Sequence, residues 1–113
     1  MSSERHPESS TEKLVCDLNA LPPEERASHE ELGRHLFERR VREVAEVDAG
    51  FAFRFEADDI TDLAHWVSRE RLCCPFLRLM LESVPRGGPV WLTLSGGDAV
   101  QAFLRDRIAG SSA

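Results

Sequence analysis

Residues 70–79 read ERLCCPFLRL, two adjacent cysteines closing on a proline in a chain whose third and last cysteine is Cys16. Three chemistries suit such a pair. Thiols can be buried as small hydrophobes, they can cycle between thiol and disulfide, or they can ligate a soft ion. Two adjacent cysteines form only a strained small-ring disulfide with each other, and they cannot alone fill a tetrahedral zinc site. A metal centre would therefore require a third thiol, and Cys16 is the one available. A site of Cys16, Cys73 and Cys74 would offer three thiolates, enough for mercury or arsenic(III) and nearly enough for zinc, copper(I) being another soft ion that thiolates select.

Neighbouring groups bear on that choice. Glu70 stands one turn before the cysteines, where a carboxylate can orient a ligand or accept a proton, although a surface glutamate is the plainer expectation. Arg69, Arg71 and Arg78 lie close in sequence and would favour thiolate, whereas the C-terminal end of a helix dipole disfavours it. His65 lies roughly 12 Å back along the same helix, an awkward distance for a fourth ligand. His29 and His35 flank Leu32 on a weak helix and read as solvated or partly buried. Cys74-Pro75 is also the dipeptide of some regulatory haem sites, on two residues only, and the glycines of SGGD lack the lysine of a phosphate loop. Spacing supports neither a Ser-His-Asp order nor paired carboxylates, so the chain leans away from an enzyme.

The elements that must position these residues follow from periodicity. KLVCDLNAL from Lys13 alternates like a half-buried strand, with Cys16 on its apolar face. LPPEERASHEELGRHLFERR has prolines first, glutamates next and arginines last, the polarity a helix dipole favours; its stripe of Leu32 and Leu36 is narrow, Ser28 takes the position a turn earlier, and Gly33 weakens it. VREVAEV and GFAFRFEA predict two strands around Asp48-Ala49-Gly50, the second presenting Phe51, Phe53 and Phe55 on one face. A helix capped by Asp58 or Asp59 then carries Ile60, Leu63, Ala64, Val67 and Cys74 on one stripe, with Cys73 rotated toward Trp66. FLRLMLESV and VWLTL form a hairpin across PRGGP, with Leu77, Leu79, Leu81, Val90, Leu92 and Leu94 inward. A last helix runs from Asp98 to a stop at Gly110.

That order predicts an α+β fold, a mainly antiparallel sheet with helices on one face, ferredoxin-like βαββαβ with an added hairpin strand and C-terminal helix. Residues 1–12 bury almost nothing and read as a disordered tail before one domain over 13–110. Acidic residues outnumber Lys and Arg by 20 to 14, a net charge of −6, which repels nucleic acid and anionic membranes. With no apolar signal segment or spanning run, the expected compartment is the cytoplasm, where cysteines stay reduced unless they cycle.

CDLNAL, RFEA and ERLCCPFLRLMLESVPRGGPVWLTLSGGDAVQAFL together resemble a group of small, mostly uncharacterised bacterial proteins with a Glu-Arg-x-Cys-Cys-Pro-Phe helix end. The likeness extends over nearly all of the chain after residue 13. It implies a stand-alone α+β domain linked to heavy-metal, especially mercury, resistance regions. On this chain it singles out Cys16, Cys73 and Cys74, with Glu70 and Arg71 beside them, and it supplies no activity. Three readings follow: a cytosolic soft-metal or metalloid binder for handling or sensing, a non-catalytic interaction module or homodimer resting on Trp66, Trp91, the Phe-rich strand and the exposed hairpin, and a reactive-thiol redox protein.

Overall fold

Period-2 alternation decides the sheet. The structure, a computed structural model, describes Leu14 and residues 16–112, and within them four strands pair: β1 (Glu43–Val47), β2 (Gly50–Phe55), β3 (Arg78–Ser83) and β4 (Val90–Ser95). All three pairings are antiparallel and the order is β1-β2-β4-β3. Phe53 faces Leu92, which faces Leu81, and Phe51 faces Leu94, which faces Leu79, so the apolar residues of three strands share one face. Gly50 has a steric reason, because a Cβ there would run into the carbonyl oxygen of Leu94.

Three helices cover that face: α1 (Pro23–His35), α2 (Ile60–Cys73) and α3 (Asp98–Ser112). Leu36, Leu63, Trp66, Val100 and Leu104 join Phe51, Phe53, Phe55, Val90, Leu92 and Leu94 in one core. Prolines open α1, Glu24 and Glu25 occupy its first turn, and a π-helical turn (Leu36–Arg40) carries it into β1. Asp59, buried before α2, accepts the Glu56 backbone N–H at 3.2 Å and pairs with Arg40. No helix among the described residues is long and apolar enough to cross a membrane.

The α+β class, the antiparallel sheet and the one-sided helices are as predicted, but the first element differs. Leu14 and residues 16–21 hold no strand; Asp17 is extended and leads into a 3-10 turn (Leu18–Ala20), while Lys13 and Val15 lie outside the described residues, as does the expected tail. The ferredoxin-like pattern, which needs a strand before α1, is therefore not seen among the described residues. The reason is local: the Asp17 N–H donates to the carbonyl of Cys73 at 2.8 Å, spending on a helix end the group a sheet would use. Likewise α3 continues past Gly110, since a glycine weakens a helix by about 1 kcal/mol without forbidding it.

Candidate metal and thiol site

The last turn of α2 leaves carbonyls without helical partners, and the N-terminal segment supplies one. With Asp17 docked on the Cys73 carbonyl, Cys16 lies against Cys74, and the two are joined by a disulfide with Cα atoms 4.6 Å apart. Arg26 of α1 fixes the same segment by donating from Nε to the carbonyls of Leu18 at 3.1 Å and Leu21 at 3.2 Å. Cys16 thus reaches the cysteine pair, but as a bonded partner of Cys74; the expectation of three free thiols gives way to one, Cys73.

The seam between α1 and α2 holds the rest. The buried stripe of α2 is Leu63, Trp66, Glu70 and Cys73, while Ile60, expected inward, is exposed. Helical geometry correctly turns Cys73 toward Trp66, and that face packs on α1. Gly33 permits this, because a Cβ on it would lie 2.9 Å from Trp66 Nε1. The expected weakness in α1 is the point of closest helix approach.

Here Glu70 is 7% exposed and His29 5%, both buried against expectation. His29 Nε2 and Glu70 Oε1 are 2.8 Å apart, and the imidazole stacks on Trp66 with ring centres 6.0 Å apart. The Cys73 thiol donates to the same Glu70 Oε1 at 3.6 Å and lies 3.8 Å from His29 Nε2. The other carboxylate oxygen, Oε2, is 3.7 Å from the sulfur of Cys16. One carboxylate therefore touches two of the three sulfurs. His29 Nδ1 is buried without a hydrogen-bond partner among the described residues.

Electrostatics at Cys73 run against a reactive thiolate. Burial, and then the Glu70 carboxylate through charge and hydrogen bond, push its pKa from 9.0 up to about 11. None of the three arginines near the pair in sequence offsets this: Arg69 pairs with Glu25 at 2.9 Å, and Arg71 and Arg78 are exposed with no hydrogen bond or ion pair to the cysteines, while Arg107 of α3 donates to the Cys16 sulfur at 3.9 Å. His65 is exposed as well. Two ligand groups emerge, Cys16 with Glu70 and Cys74, and His29 with Glu70 and Cys73, their donor atoms within 4.8 Å of one another in each. A cavity of about 640 Å³, lined also by Phe37, Trp66 and Phe103, reaches His29, Glu70, Cys73 and Cys16.

Comparison with protein-family models, with curated proteins and with solved structures finds no match. Fold and site together define a small α+β protein with a buried cysteine, histidine and glutamate cluster at a helix seam.

Proposed function

We propose that the protein is a small cytosolic soft-metal or metalloid binder, for handling or sensing rather than turnover, whose reduced form holds the ion through Cys16, Cys73 and Cys74. The observation that carries this reading is the approach of Cys16 to the vicinal pair, close enough to bond Cys74, with Glu70 touching the sulfurs of both Cys16 and Cys73. Thiolates select soft ions, and a buried site favours complexes without net charge. Arsenic(III) on three thiolates and mercury(II) on two are both neutral complexes, so neither adds a charge beside the Glu70 carboxylate. Capture requires the disulfide to open: two cellular thiols, or one dithiol, give up two electrons and two protons to convert it to two thiols, and the donor sulfurs become joined as a disulfide.

Titration of the fully reduced protein with arsenite or mercury(II), following free thiols, tests this. One ion per chain should consume the site thiols, and Cys16→Ser and Cys73→Ser should each weaken binding. Equal, weak binding by wild type and Cys73→Ser would exclude the site.

The Cys16–Cys74 bond favours a second reading, a redox protein that cycles this disulfide. Cys73 is poorly suited to be its attacking thiol, because its raised pKa keeps it protonated at neutral pH. A disulfide that stays oxidised across the cytosolic glutathione range would exclude that cycle.

A further inference from the structure

We propose that His29, Glu70 and Cys73 form a mixed-ligand site for a zinc-class divalent cation, complete while Cys16 and Cys74 remain bonded to each other. The site shares Cys73 with the soft-ion reading but does not rest on it, since neither Cys16 nor Cys74 takes part.

Geometry supplies the first argument. Around a tetrahedral zinc with ligand distances of ~2.0 to 2.3 Å, nitrogen and oxygen stand about 3.3 Å apart and each stands about 3.6 Å from sulfur. The observed separations are 2.8 Å from Nε2 to Oε1, 3.8 Å from Nε2 to Sγ and 3.6 Å from Oε1 to Sγ. Both sulfur edges already match, and the nitrogen-oxygen edge, a hydrogen bond now, has to open by about 0.5 Å. Glu70 and Cys73 are three residues apart on one face of α2, and His29 faces them from α1. The scaffold thus belongs to the helix seam rather than to the N-terminal segment.

Charge supplies the second. One thiolate and one carboxylate balance a dication, so the loaded site is neutral in a place where an unbalanced charge is costly. A mixed set of nitrogen, oxygen and sulfur suits borderline zinc, whereas arsenic(III) and mercury(II) seek more thiolates. Nε2 is now engaged with Glu70 Oε1 at 2.8 Å, so an ion bound between them replaces that hydrogen bond and leaves the ring proton on Nδ1, which no partner among the described residues contests. A cysteine–histidine–glutamate relay is disfavoured by the same contacts: a relay places the thiol and the carboxylate on opposite ring nitrogens, and here both approach Nε2. Three protein ligands leave one position of a tetrahedral ion for water or a small ligand entering from the adjoining cavity.

Cobalt(II) titration of the disulfide form, one free thiol per chain by count, tests the proposal. One cobalt per chain should bind with a sulfur-to-metal charge-transfer band and be displaced by zinc. Cys73→Ser should abolish that band. Substituting even an outer-shell partner costs about 10-fold or more, so His29→Gln and Glu70→Gln should each weaken binding by at least that factor. The Cys16→Ser, Cys74→Ser double variant should keep the cobalt site while losing arsenite capture, which separates this proposal from the soft-ion reading. No cobalt or zinc retained by the disulfide form, or an unchanged band in Cys73→Ser, would overturn it.

Discussion

The face between sheet and helices and the seam between α1 and α2 are built on opposite terms. Phe51, Phe53, Phe55, Val90, Leu92 and Leu94 bury only hydrocarbon, and each adds to stability through area removed from water. The seam buries an imidazole, a carboxylate and a thiol in mutual contact, a set that stability alone does not ask for, since apolar residues of similar volume commonly serve as well or better. The contrast separates the groups that fold the chain from the polar groups that the proposed ion sites would use. The sheet face tolerates no loss of volume, whereas the seam is where substitution should change ion binding more than folding.

The sharpest way to test the division is to damage the apolar side. Phe55 is fully buried and meets Phe37 edge-on with ring centres 5.8 Å apart. Phe55→Ala should cost about 3–5 kcal/mol in urea unfolding, and it should leave the stoichiometry of metal binding unchanged in whatever fraction remains folded. Loss of stoichiometry in that folded fraction would mean that the two regions are one cooperative site.

The disulfide comes next. It spans a sequence separation of 58, for which chain entropy gives a stabilisation of about 4 kcal/mol, an upper figure because the denatured chain retains structure. Reduction, or the Cys16→Ser, Cys74→Ser pair, should lower unfolding free energy by about 2–4 kcal/mol while the sheet and helix signals of the folded protein persist. Collapse of the fold on reduction would show that the N-terminal segment belongs to the core rather than lying against it.

The same contrast governs what could be read in advance. Alternation in GFAFRF, RLMLES and VWLTLS is a local property of each strand, so β2, β3 and β4 and their inward faces are legible directly. KLVCDLNAL alternates equally well, yet alternation cannot distinguish a sheet strand from an extended segment whose N–H caps a distant helix; that distinction is made 56 residues away, at the Cys73 carbonyl. His29 carried a usable signal, three residues before Leu32 and seven before Leu36 on the same helical face. Giving that place to Ser28, which is exposed, hid it. Glu70 was likewise in phase, four residues after Trp66 and seven after Leu63, but a carboxylate is buried only when partners accompany it, and His29 is supplied by another element.

Finally, the seam should show itself in the pH dependence of stability. With the disulfide intact Cys73 is the only thiol, and its folded pKa, about 11, stands above the ordinary 9.0. A folded pKa raised in this way contributes stability that is fully present below pH 9 and is lost as pH rises through 11, because the unfolded chain releases the proton first. By linkage the loss reaches about 1 kcal/mol near pH 10. The window is otherwise almost clear, since the chain has no tyrosine and a single lysine. Wild type should therefore lose stability between pH 9 and 11 more steeply than Cys73→Ala, with Glu70→Gln between them, because that variant removes the carboxylate and keeps the burial. Alkylation of Cys73 in the folded disulfide form should also run on the order of 100-fold slower than at an unperturbed thiol near neutral pH. Parallel curves for wild type and Cys73→Ala would mean that the seam admits water freely, and that its polar groups are solvated rather than held.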